Sequence, residues 1–248
     1  MDLGLANKIA LVTGASGGIG ASVARLIAQE GADVLVAYGR NAEAAEQTAA
    51  AVRGAGRRAW CVPLDLGSPE SVQVAVATVR EHVGAIDVLI SNAGRNVVTP
   101  FDELSTQEWD EVVRVNLSGT FYLLKAARPL LRAGSAVVMV ASVAAHTGAP
   151  QHAHYAAAKA GIVNLAKSAA RALAPDIRVN CVAPGLTLTP MGAEALEGRE
   201  PEYVRGKLLA GRLAAPDEIA RAIVFLASPA AGFVYGATLD VNGGRDLR

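Results

Sequence analysis

A tyrosine and a lysine four residues apart have side chains and a spacing that suit proton transfer. Tyr155 and Lys159 lie in a segment with helical spacing, so both side chains should fall on one face of a helix. A free tyrosine has a pKa of about 10, too high for ready proton exchange at neutral pH, and a neighbouring ammonium lowers it by favouring the phenolate. The pair therefore predicts a general acid or base. A half-buried tyrosine with its hydroxyl in water is the alternative.

A second candidate for chemistry is a glycine-rich stretch directly after the first predicted strand. It reads Thr13-Gly14-Ala15-Ser16-Gly17-Gly18-Ile19-Gly20. Glycines let the backbone turn sharply and approach a ligand, and the start of the following helix offers N–H groups and a partial positive charge to a pyrophosphate. We expect this loop to bind a dinucleotide through Gly14, Ser16, Gly18, Ile19 and Gly20. A tight strand-to-helix turn without a ligand is the alternative.

Alternating strands and helices must position these residues. Short β-branched runs alternate with helical spacing along the whole chain, which is typical of a parallel sheet covered by helices. The predicted fold is therefore α/β: a single doubly wound Rossmann-type domain over residues 1–248, with a seven-stranded, mainly parallel sheet and helices on both faces. Ser105 to Glu108 fits a capping box at the start of one helix. Residues 186–213 are interrupted by Pro and Gly, and they either form a substrate lid or pack on the domain.

Composition excludes several classes of protein. With 52% apolar residues among 248, the chain can fill a sizeable core. Because 23 basic side chains balance 23 acidic ones, no overall positive field would hold nucleic acid or anionic lipid. No apolar run approaches the roughly 20 residues of a membrane span, and Met1-Asp2-Leu3-Gly4 does not resemble a signal peptide. We expect a cytoplasmic protein that binds neither nucleic acid nor membrane. Its two Cys and four His lack ligand spacing, so no metal site is expected.

Further motifs follow the glycine loop in a fixed order. The loop spacing is Gly-x3-Gly-x-Gly, and the later motifs are Asp65-Leu66, Ser91-Asn92-Ala93-Gly94, Asn116, Ser142, Tyr155-x3-Lys159, Pro184-Gly185 and Asp240-Val241-Asn242-Gly243-Gly244. This ordered set covers nearly the whole chain and resembles the short-chain dehydrogenase/reductase family. General similarity is greatest to 3-oxoacyl-carrier-protein reductases and to related alcohol and sugar dehydrogenases. The resemblance implies an NAD(P)(H)-dependent oxidoreductase that interconverts a ketone and a secondary alcohol by hydride transfer.

The resemblance also implies a role for each matching residue. Tyr155 would be the general acid in reduction and the general base in oxidation, while Lys159 would hold the cofactor ribose and tune Tyr155. Ser142 would hydrogen-bond the substrate oxygen, and Asn116 would hold a water that links Lys159 to solvent. The implied cofactor contacts are Asp65 and Leu66 at the adenine, Asn92, Ala93 and Gly94 at the ribose, and Pro184, Gly185, Thr187 and Thr189 near the nicotinamide. A capping Ser142 and a helix-kinking Asn116 are the structural alternatives.

The end of the second predicted strand distinguishes the two nicotinamide cofactors. In dinucleotide-binding folds an acid at this place holds the adenine ribose and repels a 2′-phosphate. Residues 37–41 are Ala-Tyr-Gly-Arg-Asn, without a carboxylate, and Arg40 could pair with a 2′-phosphate. We therefore expect NADP(H), and a reductase that uses NADPH. NAD(H) is the alternative, because Arg40 could be a solvated loop charge and Gly17 stands where NADP-preferring relatives often carry a second base.

The expected substrate is a small ketone or secondary alcohol. Its pocket should be formed by residues 95–97, 143–144, 151–154 and 186–213, with His152 and His154 either as extra acid–base groups or as packing or surface residues. Carrier-protein reductases usually show a basic stretch before the fifth strand. Here that stretch, residues 131–135, has one charge. The 3-oxoacyl-carrier-protein reductase therefore stays an alternative, as does a cofactor-binding regulator without turnover.

The resemblance implies a homotetramer. The helices around residues 117–131 and 155–173 would pair across one interface, and the last helix and strand would form another. Apolar residues on those helices permit such pairing, among them Phe121, Leu124, Ile162 and Leu165.

Overall fold

Seven parallel strands form the centre of the molecule in a computed structural model that describes residues 3–194, 202 and 206–247. They are β1 (Ile9–Thr13), β2 (Asp33–Tyr38), β3 (Ala59–Pro63), β4 (Ile86–Ser91), β5 (Leu131–Val140), β6 (Ile177–Pro184) and β7 (Thr238–Val241). Their order across the sheet is β3-β2-β1-β4-β5-β6-β7, and every neighbouring pair is parallel. The predicted α/β fold with a seven-stranded sheet is confirmed.

Helices connect the strands and lie on both faces of the sheet. In the described part of the chain they are α1 (Gly18–Gln29), α2 (Ala42–Gly54), α3 (Pro69–Val83), α4 (Thr106–Val113), α5 (Gly119–Ala127), α6 (Ala144–Thr147), α7 (Ala153–Leu173), α8 (Pro190–Glu194) and α9 (Pro216–Ala227). A π-helical turn, Arg114–Ser118, joins α4 to α5. The helix expected around residues 117–131 is shorter in the structure, because α5 ends at Ala127 and β5 begins at Leu131. None of these described helices combines the length and apolar character of a membrane span.

Two apolar layers hold the helices to the sheet, because successive residues of a buried strand point to opposite faces. Leu11 and Leu89 point into the layer under α3, α5 and α7, whereas Val12 points into the layer under α1, α2 and α9. Leu124 and Ile162 belong to the first layer, with 8% and 1% of their surface exposed. These two side chains therefore fill the chain's own core and leave little apolar surface for the pairing that they were thought to permit.

The strand order creates a cleft at the carboxyl ends of the central strands. After β3 the chain crosses back to place β4 on the other side of β1, so the loops that follow β1 and β4 diverge. Ligands of doubly wound folds bind at such a point, outside the carboxyl ends of the strands. The glycine loop follows β1 and residues 92–94 follow β4, so the fold brings the two predicted motifs to this edge.

Candidate active site

A cleft of about 1280 Å³ opens at the carboxyl ends of the central strands. It exceeds the roughly 300–1,000 Å³ of most small-ligand pockets, so a dinucleotide and a substrate fit together. The predicted cofactor residues at its wall are Gly14, Ser16, Gly18, Ile19, Arg40, Asp65, Leu66, Asn92, Ala93, Gly94, Tyr155, Lys159, Pro184, Gly185, Thr187 and Thr189. Ser142 also lines the cleft, while Gly20 and Asn116 are buried beneath the wall.

The glycine loop is built for close approach of the backbone. Gly14 has φ of +65°, in the left-handed region that favours glycine. A Cβ at Gly20 would lie 2.3 Å from the Gly14 carbonyl oxygen, so this position needs glycine to let α1 pack under the loop. No side chain caps the start of α1, and its first turn holds no acidic residue. The N–H groups there can therefore bind an anion.

Thr13 joins the glycine loop to the loop after β4. Its hydroxyl donates to the Ile90 carbonyl over 3.2 Å and accepts from the N–H groups of Asn92 and Ala93, each over 3.0 Å. The Asn92 side chain donates back to the Thr13 carbonyl over 2.9 Å. Sequence reasoning gave Thr13 no role, although this threonine directly precedes the first glycine of the motif. Its buried hydroxyl fixes the spacing between two walls of the cleft.

Arg40 lies where β2 leaves the sheet. Its side chain is exposed, lines the cleft and makes no ion pair with any residue that the structure describes. Asn41, the next residue, caps α2 by accepting the Ala44 N–H over 2.9 Å. The cleft therefore carries a guanidinium, and no carboxylate, at the end of β2.

Ser142, Tyr155 and Lys159 meet inside the cleft. Ser142 follows β5, and the other two lie one turn apart on α7. Lys159 Nζ lies 5.5 Å from the centroid of the Tyr155 ring and donates to the Val140 carbonyl over 2.8 Å. The Ser142 hydroxyl accepts the Ala144 N–H over 3.2 Å, and it lies next to Tyr155, whose pKa it acts to lower. The structure thus brings three of the four predicted catalytic residues together, and their roles stay predictions.

Burial changes the pKa of both ionisable groups in this trio. Desolvation raises the pKa of Tyr155 to about 12, and the hydrogen bond with Ser142 acts against that rise. Desolvation also lowers the pKa of Lys159 to about 8, while the neighbouring Cys181 acts in the opposite direction. At neutral pH Tyr155 is therefore protonated, as a general acid must be, and Lys159 is close to its titration range.

Asn116 lies in the π-helical turn, a feature frequent at functional sites. Its Nδ2 donates to the carbonyls of Arg95, over 2.7 Å, and Val112, over 2.8 Å, and its Oδ1 accepts the Arg95 N–H over 3.2 Å. A Cβ at Gly94 would lie 2.6 Å from this Oδ1. The carboxamide therefore fixes the loop after β4. A part for Asn116 in a water relay stays a prediction.

Polar side chains line the cleft beyond Ser142. His152 Nδ1 lies 3.1 Å from Asn96 Oδ1 and 3.2 Å from the Val97 carbonyl oxygen, so this nitrogen carries the ring proton. The Arg95 guanidinium is paired with the Glu111 carboxylate. Arg95, Asn96 and His152 reach the cleft together with Val143, Ala144 and Gln151, whereas Val97, also expected in the substrate pocket, does not line it.

His154 does not reach the cleft. It is fully buried, with its ring held by Glu108, so the structure shows the packing alternative rather than an acid–base group facing the substrate.

The described start of the predicted lid, from Leu186 to Gly192, lies along one side of the cleft. Thr187, Thr189 and Met191 line it, and Leu208 is buried while Leu209 is exposed. Thr187 also forms a β-bridge with Ala214. Leu196 and Tyr203, expected in a lid, lie outside the described residues. The lid stays a prediction.

Comparison with known proteins places the whole chain among oxidoreductases. A family model described as enoyl-(acyl carrier protein) reductase matches residues 14–246. D-threitol dehydrogenase of Mycolicibacterium smegmatis is 42% identical over 253 residues, covering 100% of this chain and 96% of that protein. Cis-4-hydroxycyclohexanecarboxylate dehydrogenase of Sinomonas cyclohexanicum is 43% identical over 252 residues, covering 98% of each.

A solved structure of similar fold contains a nicotinamide cofactor. It is a short chain dehydrogenase from Burkholderia cenocepacia in complex with NADP. It superposes with a TM-score of 0.92 at 32% identity, and the match covers 100% of both chains.

Proposed function

The chain belongs to the short-chain dehydrogenase/reductase family, oxidoreductases that act on alcohol and ketone groups, and from this membership we propose an NADPH-dependent reductase that converts a ketone to a secondary alcohol. The observation that carries the proposal is the meeting of Ser142, Tyr155 and Lys159 in the cleft behind the glycine loop. Burial raises the pKa of Tyr155, so its phenol holds the proton that reduction would transfer to the substrate oxygen.

The residues present fit a dinucleotide. The glycine cradle and the uncapped start of α1 would hold the pyrophosphate, and Leu66 with Asp65 would face the adenine. Arg40 would bind the 2′-phosphate, and the NADP complex of the similar structure supports this choice over NAD(H). Bound there, the cofactor would exchange hydride with the substrate carbon.

The chain's own groups would handle the proton and the developing charge. In reduction, Tyr155 gives its phenolic proton to the substrate oxygen, and Ser142 donates a hydrogen bond to the same oxygen. The tyrosine must then carry negative charge, which the Lys159 ammonium stabilises from across the ring. In oxidation the same proton moves back to Tyr155 Oη, which acts as the base.

The proposed substrate is a small ketone or secondary alcohol. The two relatives compared above act on a polyol and on a hydroxylated ring acid, and the polar wall of Arg95, Asn96 and His152 suits such molecules. A 3-oxoacyl-[acyl-carrier-protein] reductase of Staphylococcus aureus, 37% identical over 240 residues, favours a second candidate, a 3-oxoacyl group on a carrier protein. We also propose that the enzyme is cytoplasmic, in line with two cysteines that are both unpaired, and that it is a homotetramer.

Cofactor titration followed by a substrate panel tests the proposal. NADPH and NADH are titrated by fluorescence, and the protein is then assayed with D-threitol, cis-4-hydroxycyclohexanecarboxylate and a 3-oxoacyl thioester with its 3-hydroxy product, in both directions. We expect tighter binding of NADPH, turnover of a free alcohol or ketone, and loss of turnover in Tyr155→Phe with cofactor binding retained. Turnover of the thioester alone would favour the carrier-protein reductase. Binding without turnover across a wider panel would favour a regulator.

A further inference from the structure

The ring of His154 makes two hydrogen bonds in the interior, next to the proposed acid. His154 is the second residue of α7, and none of its surface is exposed. Its Nδ1 accepts the backbone N–H of Tyr155 over 2.9 Å. Its Nε2 lies 3.1 Å from Glu108 Oε1, on α4. The ring therefore bridges Glu108 and the main chain of Tyr155.

The bonding fixes the protonation of this ring. An amide N–H can only donate, so Nδ1 has no proton, and the ring proton must be on Nε2, where it points at the Glu108 carboxylate. His152, two residues earlier, has the opposite tautomer, because its Nδ1 faces two oxygen acceptors. His154 also takes over a task that the N-cap residue leaves undone, since His152 makes no side-chain cap and Tyr155 holds one of the first N–H groups of α7.

Glu108 connects the His154 ring to the loop after β4, which contains residues predicted to line the substrate pocket. The same Oε1 accepts the Thr99 hydroxyl over 2.5 Å, and the Thr99 N–H donates to the Gln151 carbonyl over 3.0 Å. The predicted capping box is thus half formed. The Ser105 hydroxyl accepts the Glu108 N–H, but the carboxylate turns to His154 and Thr99. The Glu108 carboxylate therefore contacts His154 on α7 and does not cap the start of its own helix, α4.

We infer that His154 and Glu108 are positioning residues. They fix Tyr155 against Ser142 and hold the loop after β4, which carries Thr99, to the start of α7. The inference rests on the proposed function, in which the Tyr155 hydroxyl must face the substrate oxygen. Arg95 and Asn96 line the cleft and lie between Gly94 and Thr99. The Glu108 carboxylate therefore holds both Tyr155, through His154, and one wall of the predicted substrate pocket. A displacement of about 1 Å at a reacting group can lower a rate by roughly 100-fold.

Two substitutions of His154 separate the two bonds. In His154→Asn the amide oxygen stands near the Nδ1 position and can still accept the Tyr155 N–H, whereas His154→Ala removes both partners. We expect His154→Ala to lower kcat by about 10- to 100-fold with cofactor affinity within about threefold, and His154→Asn to recover most of that loss. Glu108→Gln keeps an acceptor oxygen and should lose less than Glu108→Ala. His82→Asn, on α3 outside the cleft, is the matched control.

A measurement without turnover judges the inference separately from the proposed function. In protein labelled with 15N-histidine and 13Cζ-tyrosine, NMR should show His154 protonated at Nε2 alone. The Tyr155 resonance, assigned with Tyr155→Phe, should move in His154→Ala and stay in place in His154→Asn. A proton on Nδ1, or a Tyr155 resonance unmoved in His154→Ala, would overturn the inference. An inactive wild type with these NMR results would reject the proposed function and leave the positioning intact.

Discussion

Lys159 is a charged group held almost out of water, with 4% of its surface exposed. Its hydrogen bond to the Val140 carbonyl does not compensate the lost hydration, so burial lowers its pKa from 10.5 to about 8. That difference corresponds to about 3 kcal/mol of destabilisation when the amine is protonated. In the proposed mechanism this charge has a use, because an ammonium next to Tyr155 would stabilise its phenolate.

The pH dependence of stability should show this cost. Between about pH 8 and 10.5 the unfolded chain binds a proton that the folded chain has released, so this lysine contributes rising stability as pH increases. We therefore expect the free energy of unfolding of wild type, measured in urea, to rise by about 3 kcal/mol relative to that of Lys159→Met between pH 7 and pH 10.5. Lys167→Met, at an exposed position of the same helix, is the control. Equal pH slopes for Lys159→Met and wild type would contradict the buried charge.

Arg40 should decide which cofactor binds. A guanidinium pairs with a 2′-phosphate through charge-assisted hydrogen bonds, and such bonds contribute about 1.5–3 kcal/mol. Arg40→Ala should therefore weaken NADPH binding by about 10- to 100-fold and leave NADH binding nearly unchanged, as measured by fluorescence titration. Arg132→Ala, on an exposed residue outside the cleft, is the control. An equal loss for both cofactors would show that Arg40 does not bind the 2′-phosphate.

At the scale of elements, α5 approaches the loop after β3 because its first residue has no side chain. A Cβ on Gly119 would lie 2.4 Å from the Leu66 carbonyl oxygen and 2.8 Å from Leu66 Cβ. Leu66 lines the cleft, so this contact sets the position of the loop that would face the adenine. The π-helical turn before Gly119 places α5 at the same time as it buries Asn116.

Gly119→Ala should displace this loop. We expect a loss of about 1–3 kcal/mol in the free energy of unfolding, measured in urea, together with weaker NADPH binding. Gly54→Ala is the matched control, because nothing lies within 4 Å of its added Cβ at the end of α2. That variant should change stability by less than about 1 kcal/mol and bind NADPH normally. If both variants behave alike, the close approach to Leu66 does not position the loop.

The elements could be predicted from sequence because each apolar run and each turn residue acts locally. Ser68 and Pro69, a cap and a proline adjacent in the sequence, start α3, and the order of motifs matches the order of strand ends. The destination of the Glu108 carboxylate could not be predicted, since its partner His154 is 46 residues away and reaches it only in the folded chain. The burial of Leu124 was equally hidden, because periodicity shows an apolar face and not what covers it.

At the scale of the molecule, large apolar side chains remain in water near one edge of the sheet. Phe233 is fully exposed, and Tyr235 and Leu239 are 42% and 38% exposed. They lie on and just before β7, the last strand of the sheet, whose free edge offers unpaired backbone groups. Apolar surface at such an edge is typical of an interface. This observation supports the expected assembly through the last strand, while α5 contributes Phe121 at 44% exposure.

Sedimentation at micromolar concentration should therefore give a mass of four chains rather than the 25.4 kDa of one. Phe233→Asp should lower that mass, because a carboxylate would lose its hydration in an interface that excludes water. Val74→Asp places the same charge on a side chain that is 66% exposed on α3, away from β7, and should leave the mass unchanged. A monomeric wild type would reject the assembly. A tetramer that survives Phe233→Asp would keep the assembly but move the interface away from this edge.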